Sequence, residues 1–391
     1  MPSNLPSPLT SFIGRQREIG EVRRLLATTR LLTLTGAGGS GKTRLALQLG
    51  AEVLQEYPGG VWVVEFAPFS DPHLVPQATA SALSVPERPG WSLTASLVHY
   101  LRARSSLLLF DNCEHLIEAC AALADVLLRG SPTLRILATS RESLRVPGEL
   151  TFLVPPLSLP DSDQLPPLER PMQYEAVRLF VERATFHQPG FTLTDGNAST
   201  LVHVCHRLDG MPLAIELAAA RVRVLTLEQI AARLDDRFRL LTGGSRTVLP
   251  RHQTLQAAMD WSYDLLSERE RALFRRVSVF AGGWTLDAAE AICSGDGIEA
   301  ADILEVLASL SDKSLVLVET RNGEGRYRLL ETIRQYSLDR MHESGESVAA
   351  HRQHLEWYLG LAEQAEAELR GPQQEAWLER LEAEQDRKSV V

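Results

Sequence analysis

Short apolar segments alternate with stretches of helical periodicity in the first part of the chain. Strands that alternate with helices form a mainly parallel, doubly wound sheet, which binds ligands at the carboxyl ends of its strands. The pattern therefore predicts an α/β domain with a five-stranded parallel sheet. The predicted strands lie at 31–35, 61–66, 106–110, 135–139 and 149–154.

Helical periodicity dominates the next region, after a proline-rich stretch at 155–171 that favours neither strand nor helix. From 174 to 241 the pattern is helical throughout, with expected helix starts near Asp195 and Thr226. These features predict a small helical domain.

A third unit begins near Thr254. Ser267 and Glu270 have the spacing of a capping box at the start of a helix. Further on, the turn residues Asn-Gly-Glu-Gly at 322–325 separate the segments 315–319 and 326–329, which predicts a β-hairpin. Helices followed by a hairpin indicate a winged helix.

The last stretch, from His351, is helical and acidic, with 11 Asp or Glu against 5 Arg or Lys between 341 and 391. It is typical of the start of a helical repeat array, but one or two helices cannot bury their own apolar faces.

Composition indicates a soluble globular protein of several domains, with 391 residues, 44% hydrophobic and 23% charged. No apolar run approaches 18 residues and the first twenty residues lack a secretion signal, so we expect a cytoplasmic protein without a membrane segment.

The formal net charge of −10 argues against a chain that coats nucleic acid, although it leaves room for a local basic patch. The four cysteines form no CxxC pair and are expected to be reduced thiols rather than zinc ligands or disulfides.

The strongest chemical motif is Gly-Ala-Gly-Gly-Ser-Gly-Lys-Thr at 36–43, which fits the P-loop spacing GxxxxGK[ST]. It holds Lys42, one of only three lysines in the chain, and lies between a predicted strand and a predicted helix. Glycines let the loop turn its main-chain N–H groups inward, and the helix start adds a positive dipole end. The motif predicts a site for nucleotide phosphates, with the Lys42 ammonium on the β and γ phosphates and the Thr43 hydroxyl on Mg²⁺.

Asp111 follows the apolar segment Leu-Leu-Leu-Phe and is expected to hold Mg²⁺ through water. Many related ATPases carry a second acid at the next position, but here it is Asn112, which cannot accept a proton at neutral pH. Glu114 either substitutes for that acid or faces solvent at a helix start, and the sequence leaves both interpretations open. We predict slow hydrolysis.

Arg141 follows the fourth predicted strand. Its guanidinium is expected to reach the γ-phosphate position and to report whether that phosphate is present. The alternative is a surface arginine that pairs with Glu142.

Together these motifs resemble the NB-ARC type of STAND signalling NTPases, in particular the ATPase modules of LuxR-like and other multidomain bacterial transcriptional regulators. The resemblance covers nearly the whole chain. It rests on these segments: Phe-Ile-Gly-Arg at 12–15, the P-loop, Leu-Phe-Asp-Asn-Cys-Glu-His at 109–115, Ala-Thr-Ser-Arg-Glu at 138–142, Tyr-Glu-Ala-Val-Arg-Leu-Phe at 174–180, Gly-Met-Pro-Leu-Ala at 210–214 and Tyr-Arg-Leu-Leu-Glu-Thr-Ile-Arg-Gln-Tyr at 327–336.

The resemblance implies an ATP or ADP site with Mg²⁺, in which the opening motif and Pro212 contact the adenine. An apolar residue and a proline ring suit the face of a base, but Pro212 also fits a simple helix start. The predicted nucleotide-binding residues are Ile13, Gly14, Arg15, Gly36, Gly38, Gly39, Ser40, Gly41, Lys42, Thr43, Arg44 and Pro212. The predicted metal ligands are Thr43 and Asp111, and the predicted catalytic residues are Lys42, Asp111 and Arg141.

Two features depart from the family. Its Met-His-Asp motif, which contacts the β-phosphate of ADP, is replaced by Leu329-Leu330-Glu331, so we expect that latch to be absent or altered. Family members usually continue into a longer sensor region after position 386, so we expect this chain to be truncated or frame-shifted at its end.

The expected domains are a P-loop nucleotide-binding domain at 1–158, a helical domain at 170–245, a winged-helix domain at 250–345 and the start of a TPR-like region at 348–391. The leading hypothesis is a regulatory switch in which ADP holds the domains closed and ATP opens them, with self-association or a protein partner on activation. The alternatives are a catalytic AAA-like ATPase or kinase, and a DNA-binding repressor that uses the winged helix. We expect no direct DNA contact from this chain, because the predicted helix at 302–312 is acidic.

Overall fold

A computed structural model describes residues 1–160, 171–234, 241, 255–321, 324–368, 374, 377, 378 and 381. The chain forms two compact units. The first comprises residues 1–206 and 210–241, and the second comprises residues 207–209 and 242–391.

The first unit is built on a five-stranded sheet with the strand order β2-β3-β4-β1-β5. Every pairing in it is parallel, which confirms the predicted fold class. The order places β3 beside β4 and β1 at the next position, so the carboxyl ends of these three strands lie side by side. The strands are β1 (Leu31–Thr35), β2 (Val61–Glu65), β3 (Leu107–Asp111), β4 (Arg135–Thr139) and β5 (Glu149–Leu153).

Helices cover both faces of this sheet. Side chains of successive strand residues point to opposite faces, and here both faces are apolar and need to be buried. In β4, Ile136 packs in one apolar core and Leu137 in the other, and both are fully buried. Near-continuous apolar strands are typical of a parallel sheet buried on both faces. The helices are α1 (Gln16–Thr28), α2 (Lys42–Glu52), α3 (Val75–Ala82), α4 (Leu93–Leu101) and α5 (Ile117–Gly130).

Between residues 171 and 234, which the structure describes without a gap, four further α-helices follow the sheet. Helix α7 begins at Asp195 and helix α9 follows its N-cap Thr226, as the sequence predicts. The Thr226 hydroxyl accepts from the main chain of Gln229, and the Gln229 side chain accepts from the main chain of Thr226, which forms a capping box. The helices are α6 (Glu175–His187), α7 (Asp195–Arg207), α8 (Pro212–Ala219) and α9 (Leu227–Arg233).

The second unit contains helices and an antiparallel two-stranded hairpin. Ser267 and Glu270 form the predicted capping box at the start of α11, and the Glu270 carboxylate also accepts from Lys313 at 2.7 Å. Trp284 pairs with Tyr327 in an antiparallel bridge, which adds a third strand position to the hairpin. The elements are α10 (Leu255–Asp264), α11 (Glu268–Arg276), α12 (Leu286–Cys293), α13 (Ile303–Asp312), β6 (Leu317–Arg321), β7 (Glu324–Arg328), α14 (Glu331–Ser344) and α15 (Ser347–Glu368).

The predicted domain borders stay predictions, because residues 161–170 and 242–254 lie outside the described part of the chain. The turn positions 322 and 323 also lie outside it, as does most of the predicted repeat region beyond α15. Among the residues that the structure describes, no helix has the length and apolar character needed to span a bilayer.

Candidate functional site

The P-loop connects the end of β1 to the start of α2. Gly36, Gly39 and Gly41 have φ angles of 146°, 82° and 89°, a region that residues with a side chain rarely adopt. Gly38 lies half-buried in the same turn. The sequence therefore places glycine where the loop must curl back over the start of α2.

Lys42 is the first residue of α2, and its ammonium turns into the loop. Nζ donates to the carbonyl oxygens of Gly36 at 2.6 Å and Ala37 at 3.1 Å. Burial lowers the pKa of Lys42 from 10.5 to about 8, although the carboxylates of Glu114 and Asp111 favour its charged form. Removal of solvent from an ammonium is costly, so an anion beside Lys42 would be strongly favoured.

Asp111, the last residue of β3, accepts two hydroxyl hydrogen bonds on the same oxygen. Thr43 Oγ1 donates to Asp111 Oδ1 at 2.7 Å, and Thr139 Oγ1 donates to it at 2.6 Å. Burial raises the pKa of Asp111, and the two hydrogen bonds oppose that rise. The structure thus brings the two predicted metal ligands, Thr43 and Asp111, into direct contact. Thr139 was not identified from the sequence; the only available signal was its position at the end of a predicted strand.

Asn112 follows Asp111 in the left-handed conformation, with φ of 65°. Its main-chain N–H donates to Thr139 Oγ1 at 2.9 Å, and its side-chain amide lies 3.3 Å from Nδ1 of His115. An amide occupies the position at which many related ATPases carry a second acid.

Arg141 forms an ion pair with Glu114. Arg141 Nε lies 3.3 Å from Glu114 Oε1, and the two side chains are 7% and 6% exposed. The Glu114 side chain therefore does not face solvent, which removes one of the two interpretations that the sequence left open. Glu114 raises the pKa of Lys42 and Arg141 lowers it, so the pair belongs to the same site as the P-loop lysine.

Arg15 stabilises the P-loop through hydrogen bonds to main-chain carbonyl oxygens. Its Nη2 donates to the carbonyl oxygens of Ser40 at 2.7 Å and Pro155 at 2.9 Å. The main-chain N–H of Arg15 donates to the Glu175 carboxylate, and a Cβ atom on Gly14 would overlap that carboxylate. The half-buried Ile13 precedes these residues.

Arg44 lies in α2 directly after the P-loop and binds Glu216 of α8 at 3.0 Å. The Glu216 carboxylate also accepts from Arg183 of α6 at 3.0 Å, and both arginines donate to the carbonyl oxygen of Ser11. Sequence patterns did not identify Glu216 or Arg183, because both lie far along the chain from the P-loop.

Pro212 begins α8 beside the P-loop. Its Cγ would lie 3.7 Å from a Cβ atom on Gly41. The main chain of Leu213 donates to the carbonyl oxygen of Gly39 at 3.2 Å. The structure therefore brings Pro212 against the P-loop and leaves its predicted adenine contact as a prediction.

The residues present fit a phosphate group and a hard cation. Within the described part of the chain, Ser40 Oγ and Arg15 Nη1 are buried without a hydrogen-bond partner, which is costly for polar atoms. Ser40 belongs to the glycine loop, and Nη2 of the same Arg15 guanidinium donates to the Ser40 carbonyl oxygen at 2.7 Å. Such groups would hold phosphate oxygens, and the Thr43 hydroxyl with the Asp111 carboxylate supplies the oxygen ligands that Mg²⁺ prefers.

Comparison with known proteins confirms the predicted winged helix. Residues 266–342 match the winged helix-turn-helix domain family, as the predicted winged helix requires. A candidate HTH-type transcriptional regulator of Mycobacterium tuberculosis, Rv0890c, is 46% identical over 341 residues. That match covers 87% of this chain and 37% of the regulator, so the chain spans about a third of that relative's length.

Among solved structures, a STAND protein with a tetratricopeptide repeat sensor, PH0952 from Pyrococcus horikoshii, aligns with a TM-score of 0.36 and 14% identity. The alignment covers 91% of this chain and 46% of that one. The parallel sheet and the P-loop of the first unit establish its fold independently of this alignment.

The uncharacterized protein Rv0894 of Mycobacterium tuberculosis is 45% identical over 351 residues, covering 89% of this chain and 86% of that protein. The chain therefore belongs to the same family as Rv0894, and within it a P-loop NTPase fold precedes a winged helix-turn-helix domain.

Proposed function

We propose that this chain is an ATP- and ADP-binding regulatory switch of the NB-ARC type, acting within a transcriptional regulator and hydrolysing ATP slowly. The name of the relative Rv0890c and the winged helix-turn-helix match support the regulatory context. The resemblance of the site motifs to STAND NTPases supports the nucleotide.

One observation carries the proposal: the Thr43 hydroxyl donates to Asp111 at 2.7 Å, and the preceding residue, Lys42, directs its ammonium into the glycine loop. A hydroxyl, a carboxylate and an ammonium in a glycine-lined turn at a helix start form a site for a metal-bound polyphosphate. Mg²⁺, when bound, would neutralise phosphate charge and orient the terminal phosphate.

The residues around this site favour slow hydrolysis of ATP. Asn112 cannot take a proton from water, and the Glu114 carboxylate is held by Arg141 at 3.3 Å. A general base must be within hydrogen-bond reach of the proton that it removes. A slow reaction suits a switch, because the bound state must persist long enough to be transmitted.

A switch requires that each nucleotide binds two states of the protein with unequal affinity. We propose that the exchange of ADP for ATP changes self-association or the binding of a protein partner. Light scattering and sedimentation of the chain with ADP and then with an ATP analogue would detect such a change.

The test of nucleotide binding is Lys42→Ala, measured by isothermal titration calorimetry with ATP and with ADP in magnesium buffer. We expect the affinity for both nucleotides to fall at least about a hundredfold, because a desolvated charge-assisted contact is lost. Arg102→Ala removes one positive charge from an exposed residue at the end of α4 and should leave both affinities unchanged.

Undiminished binding by Lys42→Ala would contradict the proposal. A steady-state assay separates the switch from a catalytic ATPase or kinase: rapid multiple turnover by the wild-type chain would favour the enzyme, and one slow turnover favours the switch.

Duplex DNA binding by the second unit is a second candidate function, and the winged helix-turn-helix match favours it against our expectation of no direct DNA contact. The exposed positions of α13 weigh against it, because Leu304, Glu305 and Asp312 present no positive charge to a phosphate backbone. Fluorescence anisotropy with duplex DNA over a salt series decides: affinity that falls steeply as salt rises would establish DNA binding.

A further inference from the structure

The ion pair between Glu114 and Arg141 joins the ends of two neighbouring strands. Glu114 lies in the short 3-10 turn Cys113–His115 after β3, and Arg141 lies two residues after the end of β4. Their side chains are 6% and 7% exposed, so solvent screens the 3.3 Å contact very little.

The pair lies at the strand ends that meet the P-loop. Asp111 and Thr139, which precede Glu114 and Arg141 by three and two residues, are joined by a hydrogen bond of 2.6 Å. Asp111 also accepts from Thr43 of the P-loop at 2.7 Å. The pair is therefore held beside the loop, where the charge of a bound polyphosphate would act on it.

We propose that Glu114 determines the preference between ADP and ATP, because its carboxylate holds the Arg141 guanidinium away from a third phosphate. This inference rests on the proposed function, since it assumes that the P-loop binds nucleotide. In this proposal a γ-phosphate draws the Arg141 guanidinium away from Glu114, whereas a diphosphate leaves the 3.3 Å pair intact.

The physical reason is competition between two anions for one cation. A buried charge that loses its partner is strongly disfavoured, so Arg141 moves only where another anion replaces the carboxylate. A terminal phosphate offers oxygens that match the fork of donors on a guanidinium. Separating the pair then makes the net binding free energy of ATP less favourable. ADP binding does not require that separation.

Glu114 is a positioning residue in this proposal, because it acts on the nucleotide through Arg141.

The test compares the dissociation constants of ADP and of a non-hydrolysable ATP analogue by calorimetry. In Glu114→Gln we expect the analogue to bind about tenfold more tightly relative to ADP, since contacting pairs couple by such amounts. Glu118→Gln removes the same charge from an exposed position in α5 and should leave the ratio unchanged.

A double variant decides whether Glu114 acts through Arg141. In an Arg141→Gln background, Glu114→Gln should no longer change the ratio of the two dissociation constants. If the ratio changes equally without Arg141, the carboxylate acts as a general negative charge and the proposal is overturned.

Arg141→Lys provides an independent measurement should Glu114→Gln fail to fold, as judged by circular dichroism. A lysine keeps the charge but lacks the planar fork, so we expect the analogue to lose several-fold more affinity than ADP. An equal loss for both nucleotides would overturn the proposal. If the wild-type chain binds neither nucleotide, the proposed function fails; if it binds both and Glu114→Gln leaves the ratio unaltered, only this inference fails.

Discussion

The main-chain N–H of Leu213 donates a hydrogen bond of 3.2 Å to the carbonyl oxygen of Gly39. The first N–H groups of a helix have no partner within the helix, and Pro212 at the start of α8 has no N–H to offer. The P-loop thus satisfies the next donor of α8. This bond ties the glycine loop to a helix that lies more than 170 residues further along the chain.

The contact makes Gly39 sensitive to substitution. Its φ is 82°, and an added Cβ would lie 2.9 Å from the Cβ of Leu213. We expect Gly39→Ala to lower the free energy of unfolding by about 2 to 3 kcal/mol, through backbone strain together with the clash, and to weaken nucleotide binding. Urea denaturation and calorimetry measure the two effects.

Gly90→Ala is the matched control, because Gly90 has a φ of 78° but faces open space. It should show the backbone strain alone, about 1 kcal/mol. An equal destabilisation in the two variants would show that the contact with Leu213 contributes nothing.

Thr43→Val tests the metal site. Valine retains the shape of threonine but removes the hydroxyl that donates to Asp111 at 2.7 Å. Wild-type ATP affinity should fall about tenfold or more when magnesium is replaced by a chelator, and in Thr43→Val this dependence should largely disappear.

Thr28→Val removes an exposed hydroxyl at the end of α1 and should retain the full magnesium dependence. If Thr43→Val also retains it, Thr43 is not a metal ligand. Calorimetry with and without the chelator provides the measurement for both variants.

We expect acid pH to lower the free energy of unfolding of the second unit, because Glu346 becomes protonated. Its carboxylate accepts two hydrogen bonds from Arg275, at 2.7 and 2.9 Å, and these bonds hold the pKa of Glu346 below its ordinary value of 4.5. A carboxyl with a lowered pKa in the folded state contributes stability above its unfolded pKa and loses it as pH falls through the folded value.

We expect Glu346→Gln to lower the free energy of unfolding by about 1 to 2 kcal/mol at neutral pH, and the difference from wild type to shrink as pH falls below 4.5. Urea denaturation over a pH series measures it. Glu343→Gln breaks a more exposed pair with Arg340 and should cost less than about 1 kcal/mol. A difference that stays constant across the pH series would contradict the assigned role of Glu346.

The sequence indicated the five strands of the first unit and two of its later helix starts, because those signals are local. Periodic apolar residues predicted the five strands within one or two residues, and residues three apart predicted the capping box at Ser267 and Glu270. The P-loop was recognisable because its glycines, Lys42 and Thr43 follow one another directly. The strand prediction also placed Asp111 at a strand end.

The partners of these residues were not predictable from the sequence, because no local pattern specifies which strand lies beside which. The adjacency of β3 and β4 brings Thr139 to Asp111 and Arg141 to Glu114, across 28 and 27 positions of sequence. The contacts of Arg15 with Pro155 and of Arg44 with Glu216 arise in the same way. The amino-acid sequence by itself indicated the strands of the sheet and the residues that we predict to bind phosphate. Only the tertiary structure decided which charges meet, because pairing between distant residues depends on strand order and burial rather than on periodicity.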